Sequence, residues 1–465
     1  MKKVQRRAFS VLIIIVCLMG GIGYFTFRFF SEGTKWVNFT ANRHVYNNGV
    51  IIDGAIYDRD GNALLDTVEG KRKYSDSESV RCATMHVIGD KKSNVATSLQ
   101  KVYADRLVGF NIITGMFSTT VAGNKIYTTL DSEVSSAAYE QLKGKKGAIC
   151  VFNYRTGEVL CLVSTPTYDP ENPPVINSDD DNYDGVFINR CISSRFTPGS
   201  VYKTVTAAAA IDCIPDIDSQ TFNCEKVMTV NGQKIVCSGT HREENFRYAL
   251  RNSCNVAFGE ISMQLGWDIT AEYARKLGIT TGHSISGIPT VKGKIASSGG
   301  INELAWTGIG QNTDEVTPYS MMRYMGIIAN GGICAEPYIV EKITTGSGIP
   351  LNVDKQTDTT RILSQSTAEK LSDMMRFNVT DNYRDKNFPA GMEVCAKTGT
   401  AELDGGKKSH AWFVGFSRNE KYPYAFAVFV QNGGGGGAVA RPIASKVLEA
   451  VKNKVDSDAA KNSEE

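Results

Sequence analysis

Residues Ala8 to Phe27, "AFSVLIIIVCLMGGIGYFTF", form an uncharged apolar run directly behind Lys2, Lys3, Arg6 and Arg7. Twenty residues in a helix rise about 30 Å, the thickness of a bilayer's hydrocarbon core. The run therefore predicts a membrane-crossing helix, with residues 1–30 as cytoplasmic stub and anchor. A cleavable signal peptide usually has a shorter apolar region and a small-x-small cleavage site, and no convincing site of that kind precedes "FTFRFF". Basic clusters stay in the cytoplasm, so the chain beyond about residue 31 is expected outside it. Cys17, inside the span, lacks the small neighbours of a lipoprotein site and reads as packing.

The chain is too long for one typical core: 465 residues suggest two or three domains. The formal charge of +2 becomes −2 once the four leading basic residues are set aside, so no basic field points to nucleic acid. Residues 31–146 mix short β-like runs, such as "GVIIDGAIYDRDGNALL", with the polar stretch "EGKRKYSDSES". They predict a small, irregular, β-rich non-catalytic domain. From Gly147 the texture changes. "GAICVFNYRTGEVLCLVSTP" turns like a hairpin, helical segments follow, and "SHAWFVGFSRNEKYPYAFAVFVQN" reads as a second hairpin. This predicts one α/β domain over residues 147–451, its antiparallel sheet closed by its first and last segments and flanked by helices. The polar residues 452–465 read as a disordered tail.

No C-x-x-C or H-E-x-x-H spacing occurs among the 11 cysteines and five histidines, so no metal and no other cofactor is expected. In "CEKVMTVNGQKIVC", Asn231-Gly232 predicts a two-residue hairpin turn. That register sets Cys224 opposite Gly239 and Cys237 opposite Lys226, where either a disulfide or two buried thiols fit. The acidic loop Asp180, Asn182, Asp184, Gly185 begins like a calcium loop, but Cys191 stands where the bidentate Glu belongs, leaving a solvated loop. The run Gly433 to Gly437 lacks a following helix with Lys-Ser/Thr and reads as a flexible connection.

The chemistry centres on "RFTPGSVYKTVTAAAAID". Pro198 and Gly199 suit a helix start, and Ser200 and Lys203, three apart, share a face. A second Ser-x-x-Lys, Ser98 and Lys101, lies in a polar amphipathic segment where the lysine would stay solvated and charged. A base must be neutral, which burial and a second cation near Lys203 would favour. Lys397 of the single Lys-Thr-Gly is the candidate for that second cation. Between them lies Ser253-Cys254-Asn255, 53 residues after Ser200, with Lys397 another 144 residues on. Each signal alone is weak, but this ordered set is that of penicillin-binding proteins and serine β-lactamases.

The chain resembles the class B penicillin-binding proteins, membrane-anchored peptidoglycan D,D-transpeptidases. The likeness runs through "GAICVFNYRTGEVLCLVSTPTYDP", "FINRCISSRFTPGSVYK", "TGIGQNTDEVTPYSMMRYMGIIANGG" and "AKTGTAELDGGKKSHAWFVGF", covering most of residues 147–450, and more weakly through "GAIYDRDGNALL". It implies Ser200 as nucleophile, Lys203 as its base, Ser253 as proton relay and Asn255 as a holder of substrate amide and Lys203. Lys397 with Thr398 and Thr400 would take the substrate's carboxylate, and Gly399 would let its strand approach the peptide. The backbone N–H groups of Ser200 and Thr400 would form the oxyanion hole. Implied partners are peptidoglycan stem peptides, β-lactams and a membrane glycan polymerase. Competing functions are a β-lactamase, a β-lactam sensor and an inactive scaffold. A sensor would carry a cytoplasmic signalling portion where about seven residues precede the anchor, and a scaffold would have lost site residues. His410, Asp58 and Arg59 read as structural, and Trp412 as core beside the site.

Overall fold

The computed structural model describes residues 2–37, 46–47, 50–51, 54–68, 71–108, 123–177, 179–351, 353, 359–403 and 405–464. Of the runs quoted above, Gly49, Ile52, Asp53, Glu69, Gly70 and Asp404 lie outside them. One helix spans Lys2–Val37, and its Lys2–Phe29 portion is long and apolar enough to cross a membrane. None of that portion's most apolar stretch is buried against the rest of the protein.

The C-terminal half is organised by a five-stranded antiparallel sheet in the order Val394–Ala401, His410–Ser417, Tyr424–Val430, Gly147–Asn153, Val159–Thr165. The last strand pairs with the first, Phe429 opposite Ala148, which closes the domain in the way the two hairpins predict. Successive side chains of a strand point to opposite faces. Ala148, Cys150 and Phe152 accordingly join one core, with helices Lys203–Cys213, Asn255–Lys276 and Pro318–Ala329. Ile149 and Val151 join a second core, with helix Ser132–Leu142 and the C-terminal helix. Burial on both faces explains the nearly continuous apolar character of these strands.

A mixed six-stranded sheet covers the N-terminal half in the order Pro350–Leu351, Val340–Thr344, Lys125–Thr128, Ala55–Tyr57, Ala63–Val68, Lys71–Tyr74. Two of its strands come from residues 340–351, so the first region is completed by chain far downstream. Asp58 caps the turn between two of these strands: its carboxylate accepts from the N–H groups of Asp60 and Asn62 and from Ser132 Oγ.

Two local expectations need correction. Residues 452–465 are not a disordered tail, because one helix runs Ala440–Glu464. Ala440, Ile443, Ala444, Val447, Leu448 and Val451 form its buried stripe, at helical spacing. Beyond that stripe ion pairs carry it: Lys452 to Asp456 at 2.5 Å, and Lys454, only 6% exposed, to Asp458 at 2.6 Å and Asp60 at 2.7 Å. The hairpin register holds at Cys237, whose N–H donates to Lys226 O at 2.7 Å, and Asn231 and Gly232 both take positive φ as the turn requires. It fails at Cys224, which pairs with Arg242 because Thr221–Cys224 joins Arg242–Asn245 in a separate ribbon.

Candidate active site

Ser200 lies in a one-turn 3-10 helix, Gly199–Val201, that leads into helix Lys203–Cys213. A 3-10 turn has three residues per turn, so Ser200 and Lys203 eclipse each other. Lys203 Nζ stands 3.2 Å from Ser200 Oγ. Gly199 has φ of +56°, and a Cβ there would come 2.6 Å from Thr400 O, so glycine lets the serine turn press against the Lys-Thr-Gly strand.

The same amine reaches Asn255 Oδ1 at 2.6 Å, Ser253 O at 2.5 Å and Ser253 Oγ at 3.3 Å. Ser253 ends helix Phe246–Asn252 in the left-handed region, φ 55°, and Cys254 then caps helix Asn255–Lys276. Such a conformation costs a non-glycine residue about 1–3 kcal/mol and is held by its surroundings. It turns Ser253 O and Oγ and the Asn255 side chain toward one point. Lys397 Nζ completes the set, donating to Ser253 Oγ at 2.8 Å and to Thr398 O at 3.0 Å. Ser200, Lys203, Ser253 and Lys397 thus form one unbroken chain of polar atoms.

Both lysines are fully buried. Burial lowers the Lys203 amine to about 8, while negative charge on Cys237, Cys254, Glu244 and Cys224 pulls it upward. Burial, and then the charge of Lys203, hold Lys397 well below its ordinary value. Two buried amines sharing Ser253 Oγ disfavour each other's proton, which favours the neutral form that a base needs. Lys397 stands beside Lys203, but burial is the cause that lowers the Lys203 amine.

A cleft above these groups is lined by Ser200, Ser253, Asn255, Thr398 and Thr400, with Val236, Cys237, Ser238, Trp306, Ile309, Gln311 and Glu402. Lys203 and Lys397 lie beneath it. Gly399 does not face the cleft as expected: a Cβ there would meet Val201 Cγ1 at 2.8 Å, Pro198 O at 3.0 Å and Trp412 Cβ at 3.1 Å. Its role is to seat the strand against the serine turn. The glycine run is likewise more than a flexible connection. Gly436 N–H donates to Thr400 Oγ1 at 3.2 Å, and a Cβ at Gly436 would fall 2.2 Å from Gly399 O.

The decoys separate from the site. Ser98 Oγ is spent on Val95 O at 2.9 Å, and Lys101 is exposed. His410 packs edge-on to Phe196 and Phe429, accepts from Asn432 N–H at 3.1 Å, and is lowered to about 4 by burial. Trp412 is core and donates from Nε1 to Thr197 O at 2.9 Å.

Sequence reasoning missed two features. Glu402, the one carboxylate of the cleft lining among the described residues, follows Lys-Thr-Gly-Thr-Ala with no spacing rule to mark it. Cys224, Cys237, His241 and Cys254 converge beside Asn255 with their ligand atoms within 4.8 Å of one another. That group could hold a metal, against the expectation of none. Their order, Cys-x12-Cys-x3-His-x12-Cys, is the signal that would have found it.

A buried lysine pair, a serine on a tight turn at a helix start and a glycine-bearing edge strand define an active-serine acyl-transfer site. The family described as penicillin binding protein transpeptidase domain matches residues 147–449, and the chain belongs to it, as a class B member. The chain is similar to peptidoglycan D,D-transpeptidase PbpA of Mycobacterium tuberculosis, at 27% identity over 357 residues, 70% of this chain and 72% of that protein. It is also similar to stage V sporulation protein D of Bacillus subtilis, at 27% identity over 72% of this chain and 53% of that protein. The solved structure of penicillin-binding protein A from M. tuberculosis as a ceftriaxone acyl-enzyme superposes with a TM-score of 0.75 at 25% identity, covering 86% of this chain and 98% of that one.

Proposed function

We infer that this chain is a peptidoglycan D,D-transpeptidase that forms stem-peptide crosslinks through an ester on Ser200. The observation that carries this reading is the single amine, Lys203 Nζ, held against Ser200 Oγ, Ser253 Oγ and Asn255 Oδ1. Neutral Lys203 takes the Ser200 proton as Oγ attacks the penultimate D-Ala carbonyl. The oxyanion is held by the N–H groups of Ser200 and Thr400, each such donor worth about 3–4 kcal/mol. The peptide C–N bond breaks, the proton passes through Ser253 to the leaving amine, and terminal D-Ala departs. An amine of a neighbouring stem peptide then attacks the ester, and its proton returns to Ser200. Lys397, with Thr398 and Thr400, favours a carboxylate at the donor's end, and Asn255 holds the donor's amide.

β-Lactams mimic the donor and acylate the same serine. A β-lactamase also needs a base that drives water onto the ester. Glu260, Asp268 and Glu272 lie on helix Asn255–Lys276 and none lines the cleft, while Glu402, which does, follows Lys-Thr-Gly-Thr-Ala and not the Ser-x-Asn motif. The penicilloyl adduct is therefore expected to be long-lived, with a hydrolysis barrier several kcal/mol above that of a fast β-lactamase, roughly tenfold in rate per 1.4 kcal/mol. Mass-spectrometric decay of the adduct tests this, and turnover of many penicillins per second would establish the β-lactamase instead.

The four basic residues before the apolar helix support a cytoplasmic N-terminus and an extracytoplasmic catalytic domain, since Arg28 on the other side is paired with Glu32 at 2.8 Å. Protease added to cells with opened walls should then degrade the chain beyond about residue 31, and full protection would reverse the topology. A membrane glycan polymerase fits as partner because crosslinking needs nascent strands at the same membrane. Crosslinking from the apolar helix in the same cells, with no polymerase recovered, would remove it.

A further inference from the structure

Four soft-ligand side chains from separate segments meet beside the catalytic turn. Cys224 ends strand Thr221–Cys224, Cys237 follows strand Gln233–Val236, His241 precedes strand Arg242–Asn245, and Cys254 is the middle residue of Ser253–Asn255. The three cysteines are buried and His241 half-buried.

Cys237 Sγ lies 3.9 Å from Cys254 Sγ and 3.6 Å from His241 Nδ1. A tetrahedral ion with bonds of about 2.3 Å to sulfur and 2.0 Å to nitrogen has edges of roughly 3.8 Å for S···S and 3.5 Å for S···N. These two spacings match those edges, and the remaining four, including those to Cys224, lie within 4.8 Å, whereas a disulfide requires about 2.05 Å. Backbone N–H groups already point at the sulfurs, Asn255 N to Cys237 Sγ at 3.2 Å and Ala257 N to Cys254 Sγ at 3.4 Å, as thiolate ligands need. An independent sign is Glu244, whose side chain is 3% exposed. Its Oε1 sits 3.7 Å from His241 Nδ1 and has no N–H or O–H partner among the described residues. A cation there would offset that buried carboxylate.

We propose that Cys224, Cys237, His241 and Cys254 bind one zinc-class divalent cation in a closed tetrahedral site that fastens the Cys224–His241 ribbon to the Ser253–Asn255 turn. Three sulfurs and an imidazole select a soft or borderline ion over magnesium or calcium, which take oxygen. Four protein ligands leave no open position, so the ion holds structure and polarises no substrate. Loading displaces the thiol protons, one for each cysteine bound as thiolate, with no change of oxidation state. Cys254 is flanked by Ser253 and Asn255, both of which hold Lys203, so the ion keeps these two oxygens in place.

The test is the purified full chain in detergent, stripped with a chelator under reducing conditions and titrated with Co(II), then Zn(II). The proposal expects one equivalent bound, thiolate-to-cobalt absorption with intense tetrahedral visible bands, and displacement by zinc. Cys224→Ser and His241→Ala should each lose the tight equivalent, while Cys213→Ser, outside the cluster, retains it. Stripped protein should react with fluorescent penicillin about tenfold or more slowly and recover on adding zinc. Absence of tetrahedral cobalt bands in stripped wild type, or a disulfide joining two of the four cysteines in freshly isolated protein, would overturn the site. One bound equivalent with an unchanged acylation rate would overturn the fastening role. The metal measurement stands apart from the transpeptidase reading, which fails only if Ser200 is not acylated.

Discussion

Ser200→Ala is expected to abolish covalent labelling by a fluorescent penicillin, while Ser98→Ala labels at the wild-type rate. The two serines share the Ser-x-x-Lys spacing, and only their surroundings differ. Ser200 Oγ meets a buried amine that can be neutral, and that amine is tied through Ser253 to a second. Ser98 Oγ donates to a backbone carbonyl, with its lysine in solvent. Losing the nucleophile removes the ester altogether, so the effect is complete. Intact-mass measurement reads it directly, and labelling that survives Ser200→Ala would transfer the role elsewhere.

Lys203→Ala is expected to slow acylation by about 10²–10⁴-fold, the usual contribution of a positioned general base. The pH dependence supplies the sign. Burial lowers Lys203 to about 8, and the base must be neutral to accept the Ser200 proton. Below that value the neutral fraction falls tenfold per pH unit, so the acylation rate should climb from pH 6 toward 8 and then level. Lys397 acts in the opposite sense, because capture of a carboxylate favours its protonated form and weakens as pH rises. Burial, and then the charge of Lys203, hold it well below its ordinary value, and a bound carboxylate raises it again. Lys397→Ala should therefore weaken ligand capture and remove the weakening of capture with rising pH. A Lys203→Ala protein that acylated at the normal rate would mean another base operates.

Much of this site is legible in the sequence because its spacing is local. Ser200 and Lys203 share one turn, and Ser253 and Asn255 flank a single residue at a break between helices. Lys397 is legible only as the third member of an ordered set, since no rule of spacing brings residue 397 to residue 253. The central sheet is readable from two hairpins whose strands are apolar on both faces. What the sequence hides is set by distant pairing. Strands from residues 340–351 complete the N-terminal sheet through Val340–Thr344 beside Lys125–Thr128. The C-terminal helix looks polar because its last turns rest on ion pairs such as Lys454 with Asp60, a residue on the opposite side of the sequence. Gly399 reads as a substrate-facing glycine until Val201 and Trp412 are seen packed against it. The thiol cluster escapes because its spacings of twelve, three and twelve residues match no short metal motif.

The central claim is that the Ser200 ester passes to an amine. The direct measurement supplies the purified full chain with uncrosslinked glycan strands bearing pentapeptide stems, then digests the product and separates the muropeptides by mass. The account predicts crosslinked dimers, with one terminal D-Ala released for each crosslink, and neither product from Ser200→Ala. Release of D-Ala with hydrolysed tetrapeptides and no dimers, or dimers formed equally well by Ser200→Ala, would contradict it.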